Sequence, residues 1–241
     1  MTHQILEGVG LALRPALLTT LKKRMPDGLQ FIELTPPDWI GQGGERGKNL
    51  QSLTQAHPSV CLSHSLSLGG PGALDAQVLR ELRAFVQDHG VQVFSEALAW
   101  SADDSPLFVT LPIPSTAAAV QWTVARIRQA QDALGMRIGV RNVMHRLVPP
   151  HVEMNEATFI HEVVTQADCH LHLDLHALAQ NSRTFGFDVH AFLDALPLSR
   201  VDYVRVGREF VLLGDVLART QRRVARCVDD VKLLNLEAVT C

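Results

Sequence analysis

One short stretch of the sequence carries an unusual density of groups that can bind a metal or move a proton. In the run from 170 to 176, polar residues alternate with leucines, and the polar ones are His170, His172, Asp174 and His176. Because alternate side chains of a β-strand project to one face, a strand here would direct all four to the same side. Asp174 and His176, near the strand end, could ligate a metal or form an acid–base pair. The alternative is that the imidazoles only form hydrogen bonds inside the protein, where buried polar groups need partners.

A second set of groups lies at the ends of predicted strands. Its members are Glu33, Glu96, Asp174 and His176. Together they could hold a single divalent ion with open coordination positions, as hydrolytic or isomerase sites require. Three cations also fall at predicted strand ends: Arg141, Arg205 and Arg208. These arginines either pair with the carboxylates in an internal salt-bridge network or clamp the carboxylate or phosphate of a ligand.

The elements that must position these groups alternate along the chain. Apolar β-like runs predict strands at Ile5–Leu13, Phe31–Leu34, Val60–Ser65, Val91–Glu96, Arg137–Arg141, His170–Asp174 and Val201–Val206. Helical spacing predicts helices at Pro15–Arg24, Asp75–His89, Ser115–Leu134, Asn155–Ala167 and Val189–Ala195. The stretches Thr35–Lys48 and His176–Asp188 are predicted as loops.

Strands that alternate with helices indicate a parallel sheet covered by helices. Seven strands are too many for a small open sheet, so we predict an α/β fold, a (β/α)8 TIM barrel, as one domain over residues 1–241. Val231–Leu236 could supply the eighth strand, and the equal alternative is a helical terminal region with an incomplete barrel. In either case the functional groups should lie on loops that follow the carboxyl ends of the strands.

Composition excludes several classes of function. The formal net charge is −3, and no long basic stripe is present, so nucleic acid is not expected as a partner. No apolar run approaches the roughly 20 residues of a membrane span. The four cysteines form no Cys-x-x-Cys pair, which is typical of reduced thiols in a cytoplasmic protein.

Several motifs follow one another in a specific order over most of the chain. They are Gly8–Arg14, Phe31–Leu34, Trp39–Gly44, Ser65–Gly70, Ser95–Trp100, Gln129–Gly135, Arg141-Asn142, Leu173-Asp174 and Gly186–Asp188. Together they resemble the multinuclear non-heme iron-dependent oxidase family, which are xylose-isomerase-like TIM barrels. Known members modify ribosomally made peptides, often at cysteine, as in methanobactin biosynthesis. The resemblance implies two or three irons held by His, Asp, Glu and Asn at strand ends, and a companion protein that recognises the precursor peptide.

Most ligand positions that this resemblance implies are replaced. Leu62 stands where the family carries a histidine, with His64 displaced by two residues, and Ala97 replaces another imidazole. A metal-binding Glu-Asn pair becomes Arg141-Asn142, the early Glu-Asn becomes Pro37-Asp38, and the late His-x-x-Gly-His becomes Val204–Arg208. Leucine, alanine and arginine cannot replace such ligands and leave the coordination intact. The candidate pocket comprises Glu33, Asp38, His64, Glu96, Arg141, Asn142, Asp174, His176, Arg205 and Arg208.

Three functions are compatible with these patterns, in order of preference. The first is a catalytically degenerate barrel without a cofactor, which binds a peptide or a partner protein in ribosomal-peptide modification. The second is a metal-dependent enzyme, an oxidase or a hydrolase or isomerase, with iron or another divalent ion at Glu33, Glu96, Asp174 and His176. The third is a metal-free binder of an anionic small molecule.

Overall fold

A closed parallel barrel forms the centre of the molecule. The computed structural model describes residues 6–103, 105–149, 151–207, 210–220 and 225–228. The strands are β1 Val9–Ala12, β2 Leu29–Leu34, β3 Ser59–Ser63, β4 Val91–Ala97, β5 Trp100–Ala102, β6 Pro106–Leu111, β7 Gly139–Arg141, β8 His170–Asp174, β9 Val201–Val206 and β10 Ala225–Val228. Eight of them close the barrel in the order β1-β10-β9-β8-β7-β4-β3-β2, while β5 and β6 form a separate antiparallel hairpin.

Helices alternate with the barrel strands. They are α1 Leu18–Lys23, α2 Gly44–Ala56, α3 Ala76–Asp88, α4 Ala117–Leu134, α5 Glu156–Ala167, α6 Leu175–Phe185, α7 Val189–Ala195 and α8 Phe210–Thr220. Single turns of 3-10 helix lie at Pro15–Leu17, Pro36–Asp38 and Leu198–Arg200. Among the described helices, none is both long and apolar enough to cross a bilayer.

The apolar residues form two layers. Outward-facing side chains such as Phe94, Leu171 and Val204 pack with the helices in one large core. A smaller cluster that includes Phe31 and Tyr203 belongs to the inner face of the barrel. Because side chains fill the centre of the barrel, a functional site is expected at the carboxyl ends of the strands.

Two glycines allow large rings to fit inside the barrel. A Cβ atom built on Gly10 would lie 2.1 Å from the Phe31 ring, and one built on Gly139 would lie 2.1 Å from the His172 ring. Any larger residue at either position would displace the ring that covers it.

Most of the predicted elements are present. The prediction of a TIM barrel is confirmed, and the alternative of an incomplete barrel is wrong, because β10 pairs with both β1 and β9 and closes the sheet. The strand was expected at Val231–Leu236, which lies outside the described residues.

Two predicted loops are partly helical. The second half of Thr35–Lys48 begins α2, and the stretch His176–Asp188 is mostly α6. The strand alternation therefore stops at Asp174, and His176 lies in the first turn of a helix, where it does not share a strand face with His172.

Candidate functional site at the barrel mouth

Four charged side chains from separate strands meet at the carboxyl end of the barrel. They are Glu33 on β2, Arg141 on β7, Asp174 on β8 and Arg205 on β9, and we call them the mouth network. Arg141 Nη1 lies 3.2 Å from Asp174 Oδ2, and Arg205 Nη1 lies 3.8 Å from the same oxygen. Arg205 Nε is 3.4 Å from Glu33 Oε1. Two carboxylates and two guanidinium groups thus form a chain in which opposite charges alternate.

The inner end of this network is fully buried. Glu33 is only 2% exposed, and its Oε2 accepts a hydrogen bond from the Tyr203 hydroxyl. Burial raises the pKa of Tyr203 well above its usual value, and the neighbouring Cys227 and Glu33 act in the same direction. The phenol therefore stays protonated and acts as a permanent donor to the carboxylate.

Asp174 connects the network to the backbone around it. Its Oδ1 accepts the N–H of Ala177 at 2.9 Å and so caps the start of α6. The Asn142 side chain accepts the Asp174 N–H at 2.8 Å and donates to the Asp174 carbonyl at 3.0 Å. A carboxylate that caps a helix and pairs with arginines has few lone pairs left for any further ligand.

Glu96 lies apart from the mouth network. It shares a face of β4 with Phe94, which packs in the outer core, so its carboxylate points away from the barrel axis. Its Oε1 accepts the Leu66 N–H at 3.2 Å, and Oε2 has no hydrogen-bond partner among the described residues. Burial raises the pKa of Glu96 to about 7, although hydrogen bonds from Ser63 and Leu66 and the charge of Arg141 oppose the shift.

The histidines singled out by the sequence have three different environments. His170 Nδ1 is 2.6 Å from Asp202 Oδ2. His172 is buried, its ring packs edge-on against Tyr203 at 5.5 Å, and neither of its nitrogens has a hydrogen-bond partner among the described residues. Burial, with the charges of His170 and Arg141, lowers the pKa of His172 to about 3, so the ring is neutral. His176 is exposed on α6.

The remaining predicted residues lie around the rim. Asp38 ends a 3-10 turn and is exposed, and His64 is exposed on the loop after β3. Partial burial and the charge of Arg141 lower the pKa of His64, while Asp38 acts in the opposite direction. Arg208 lies outside the described residues.

The described residues do not fit a multi-iron cluster. Over the described ranges, no group of three or more His, Cys, Asp or Glu side chains is arranged to hold a metal ion. Glu33 and Asp174 already contact arginines, and the positions at which the family resemblance places imidazoles are the apolar residues Leu62 and Ala97. The predicted set of Glu33, Glu96, Asp174 and His176 is not brought together, because Glu96 faces outward and His176 lies on a helix.

An apolar cavity lies beside the mouth network. Its volume is about 200 Å³, and its walls include Leu98, Ile113, Asn142, Phe159, Ile160 and Phe187. Asn142 belongs both to this wall and to the hydrogen bonds that hold Asp174. The sequence analysis missed the cavity, and the signal that could have found it is the cluster of apolar residues Leu147, Val148 and Val152 in the loop after β7.

The rim of the cavity is exposed and apolar, and hydrogen bonds from α6 hold the loop that forms it. Leu147 is 60%, Val148 66% and Val152 53% exposed. The loop that carries them is held by Asn181 of α6, which accepts the His145 N–H at 2.9 Å and donates to the Val143 carbonyl at 2.9 Å. The cavity therefore opens next to exposed apolar surface.

The cysteines offer no activated nucleophile among the described residues. Cys61, Cys169 and Cys227 are buried thiols that form no disulfide within the described part of the chain. Burial raises the pKa of Cys169 to about 12 and that of Cys61 well above its usual value. These thiols are therefore core residues and not reactive groups.

The closed eight-stranded barrel is a TIM barrel of the xylose-isomerase-like kind, and solved structures share that fold. A D-psicose 3-epimerase from Clostridium cellulolyticum H10 superposes with a TM-score of 0.62 at 12% identity, over 97% of this chain and 96% of that one. A D-allulose 3-epimerase from Methylomonas sp. gives 0.64 at 15% identity, over 100% and 92%. At such low identity these similarities establish the fold alone.

Sequence comparison identifies the family. The model of the RiPP precursor modification enzymes MbnB/TglH/ChrH matches residues 8–215. A UPF0276 protein of Acinetobacter baylyi is 40% identical over 204 residues, which are 84% of this chain and 70% of that protein. A UPF0276 protein of Nitrosospira multiformis is 38% identical over 199 residues, which are 83% and 70%. The chain belongs to the MbnB/TglH/ChrH family.

Proposed function

We propose that this chain binds a peptide at its barrel mouth and no longer carries out the iron-dependent oxidation that the family resemblance implies. The observation that carries the proposal is the position of Arg141 and Arg205, within ion-pair distance of Asp174 and Glu33. At an effective dielectric near 20, two like unit charges about 4 Å apart repel by roughly 4 kcal/mol. A cluster of cations beside two guanidinium groups would meet this repulsion from each of them, and Asp174 and Glu33, which could offset it, are already paired with the arginines.

The surface around the mouth supports a peptide as the ligand. The exposed side chains of Leu147, Val148 and Val152 form one rim of a cavity whose walls are mostly apolar. The mouth network is internally neutralised, so an anionic small molecule would have to compete with Asp174 and Glu33 for the arginines. An apolar rim beside a neutralised charge network fits an extended segment with apolar side chains better than it fits a free anion.

The loss of iron chemistry is tested by elemental analysis. The full chain is expressed with iron and manganese supplementation and purified without chelators. We expect substoichiometric metal, because the arginines and the helix cap use the available carboxylate oxygens. Two or three irons per chain would overturn the proposal and restore the oxidase function. One tightly held divalent ion per chain would overturn it in favour of the rebuilt metal site.

Peptide binding is tested separately with a random-peptide library displayed on phage. Peptides enriched on the wild-type chain should lose at least about tenfold in affinity for Leu147→Asp, because the new charge must be desolvated against the peptide. Val109→Asp is the matched control, since Val109 is 57% exposed on the hairpin and does not line the cavity. Failure to enrich any peptide, or equal losses in the two variants, would argue against the proposal.

A further inference from the structure

We infer that the cavity beside the mouth network receives a phenol ring, such as the side chain of a tyrosine. The inference rests on the proposed function only in that a peptide would deliver the ring. The shape, the walls and the polar groups of the cavity support it independently.

The size of the cavity matches a single substituted ring. Its volume is about 200 Å³. An apolar cavity of roughly 150 Å³ is enough to bind benzene, so the additional space accommodates one or two further heavy atoms. The cavity is too small for a longer segment of chain.

The walls favour an aromatic occupant. Phe159 is buried in the core at one side, and Phe187 lies at another. Phe187 stacks on Phe192 with ring centroids 5.0 Å apart, a contact that supports its ring without any ligand. Rings in such a site make offset or edge contacts, which stabilise an aromatic guest beyond the area it buries.

One polar pair at the cavity selects a hydrogen-bond donor. His145 Nε2 is 2.7 Å from Glu156 Oε1, and both residues line the cavity. Glu156 is the first residue of α5, so its side chain is positioned at the start of a helix. Among the described residues this hydrogen bond engages Oε1 of Glu156, and a phenol hydroxyl could donate to Oε2.

A neutral donor fits this site better than an ammonium group. Apart from Asn142, Ser115, His145 and Glu156 the lining residues are apolar, and removing an ammonium group from water would need several polar partners. A phenol needs only one partner for its O–H and leaves its ring against the phenylalanines. The exposed rim residues then contact the chain to which the ring is attached.

Binding of small probes to the full-length chain tests the inference without a peptide. We expect 4-methylphenol to bind with a millimolar Kd in saturation-transfer NMR, as its size permits. Its methyl ether, 4-methylanisole, lacks the donor and should bind about tenfold more weakly. No binding of 4-methylphenol, or equal binding of the two probes, would overturn the inference, and so would tighter binding of 3-methylindole.

Two variants locate the probe. Glu156→Gln should abolish the preference for the phenol. The His145 N–H would still donate to the side-chain oxygen of the glutamine, so the amide nitrogen would face the ligand, and this nitrogen cannot accept the phenol O–H. Val152→Asp should weaken binding of both probes, whereas Val109→Asp should change neither. A preference that survives in Glu156→Gln would contradict the inference. If 4-methylphenol binds as expected and no peptide is enriched, the cavity assignment stands and the peptide proposal fails.

Discussion

At the scale of single residues, Asp174 is the group on which most interactions at the mouth converge. It caps α6, faces Arg141 and Arg205, and exchanges two backbone hydrogen bonds with Asn142. Its side chain is also nearly buried. Loss of a buried carboxylate is costly mainly because its cationic partners keep their charge without compensation.

Substitution of Asp174 tests this convergence. Asp174→Ala should lower the free energy of unfolding by about 3–5 kcal/mol, since it leaves two arginines without this counter-ion. Asp188→Ala is the matched control, because Asp188 caps α7 in the same way through the Ala191 N–H but is exposed. Urea denaturation of the two variants gives the comparison. Similar losses in both would mean that only the cap matters and that the ion pairs contribute little.

The sequence predicted part of this site for a sound physical reason. Carboxyl ends of parallel strands meet at one rim, so Glu33, Arg141, Asp174 and Arg205 could be placed near one another without a structure. The direction of Glu96 could not be predicted, because both faces of a barrel strand are buried and Ser95 and Glu96 have no polar–apolar alternation to separate them. The start of α6 directly after Asp174 could not be predicted either, since the cap lacks an acidic residue three positions later.

At the scale of elements, the helices show where local sequence was sufficient. The helix α4 ends at Leu134, as predicted, and Gly135 after it adopts a left-handed φ of +71° that terminates the helix. The helix α7 and the strands β8 and β9 have the predicted bounds. In contrast, α2 contains Gly44 and Gly47, and these weak helix formers made a loop the better prediction. Packing of Leu50 and Leu53 in the core overrides that weak propensity.

A glycine pair tests how closely β7 and β8 fit. Gly139→Ala should destabilise the chain by roughly 1–3 kcal/mol, because the new methyl group would enter the space of the His172 ring. Gly214→Ala in α8 has no atom within 4 Å of the added Cβ and should be neutral or stabilise by up to about 1 kcal/mol. Thermal unfolding monitored by circular dichroism distinguishes the two. A neutral Gly139→Ala would show that the His172 ring moves freely.

At the scale of the whole molecule, two buried groups give the stability opposite dependences on pH. The pKa of Glu96 is about 7 in the folded state and has an ordinary value of 4.5 in an unfolded chain. The folded state therefore holds the proton more tightly, and the free energy of unfolding falls as pH rises from 4.5 to 7. The pKa of His172 is about 3 in the folded state and has an ordinary value of 6.5 in an unfolded chain. The unfolded state therefore binds the proton more tightly, and the free energy of unfolding falls as pH drops from 6.5 to 3.

The variant Glu96→Gln separates the two effects. Relative to the wild type, its free energy of unfolding should increase by up to about 3 kcal/mol as pH rises from below 4.5 to above 7. Denaturant titrations across this range measure the difference. A difference between the two proteins that does not change with pH would show that Glu96 titrates normally.

Denaturant titrations across pH also test the opposite effect of His172. His172→Phe keeps an aromatic ring against Tyr203 and removes the titrating group. We expect it to retain more of its stability than the wild type as pH falls from 6.5 toward 3. Parallel curves for the two proteins would mean that the acid sensitivity arises elsewhere.

The pairing of β1 with β10 has a consequence for how the molecule is made. The register joins Val9 to Arg226, which are more than 200 residues apart, and the barrel has no closed sheet until that contact forms. A nascent chain that has emerged as far as β9 still presents two strand edges with unpaired amide and carbonyl groups. Contacts of such long range form slowly, so the time between synthesis of β9 and docking of β10 is when this protein is most exposed to association with other unfinished chains.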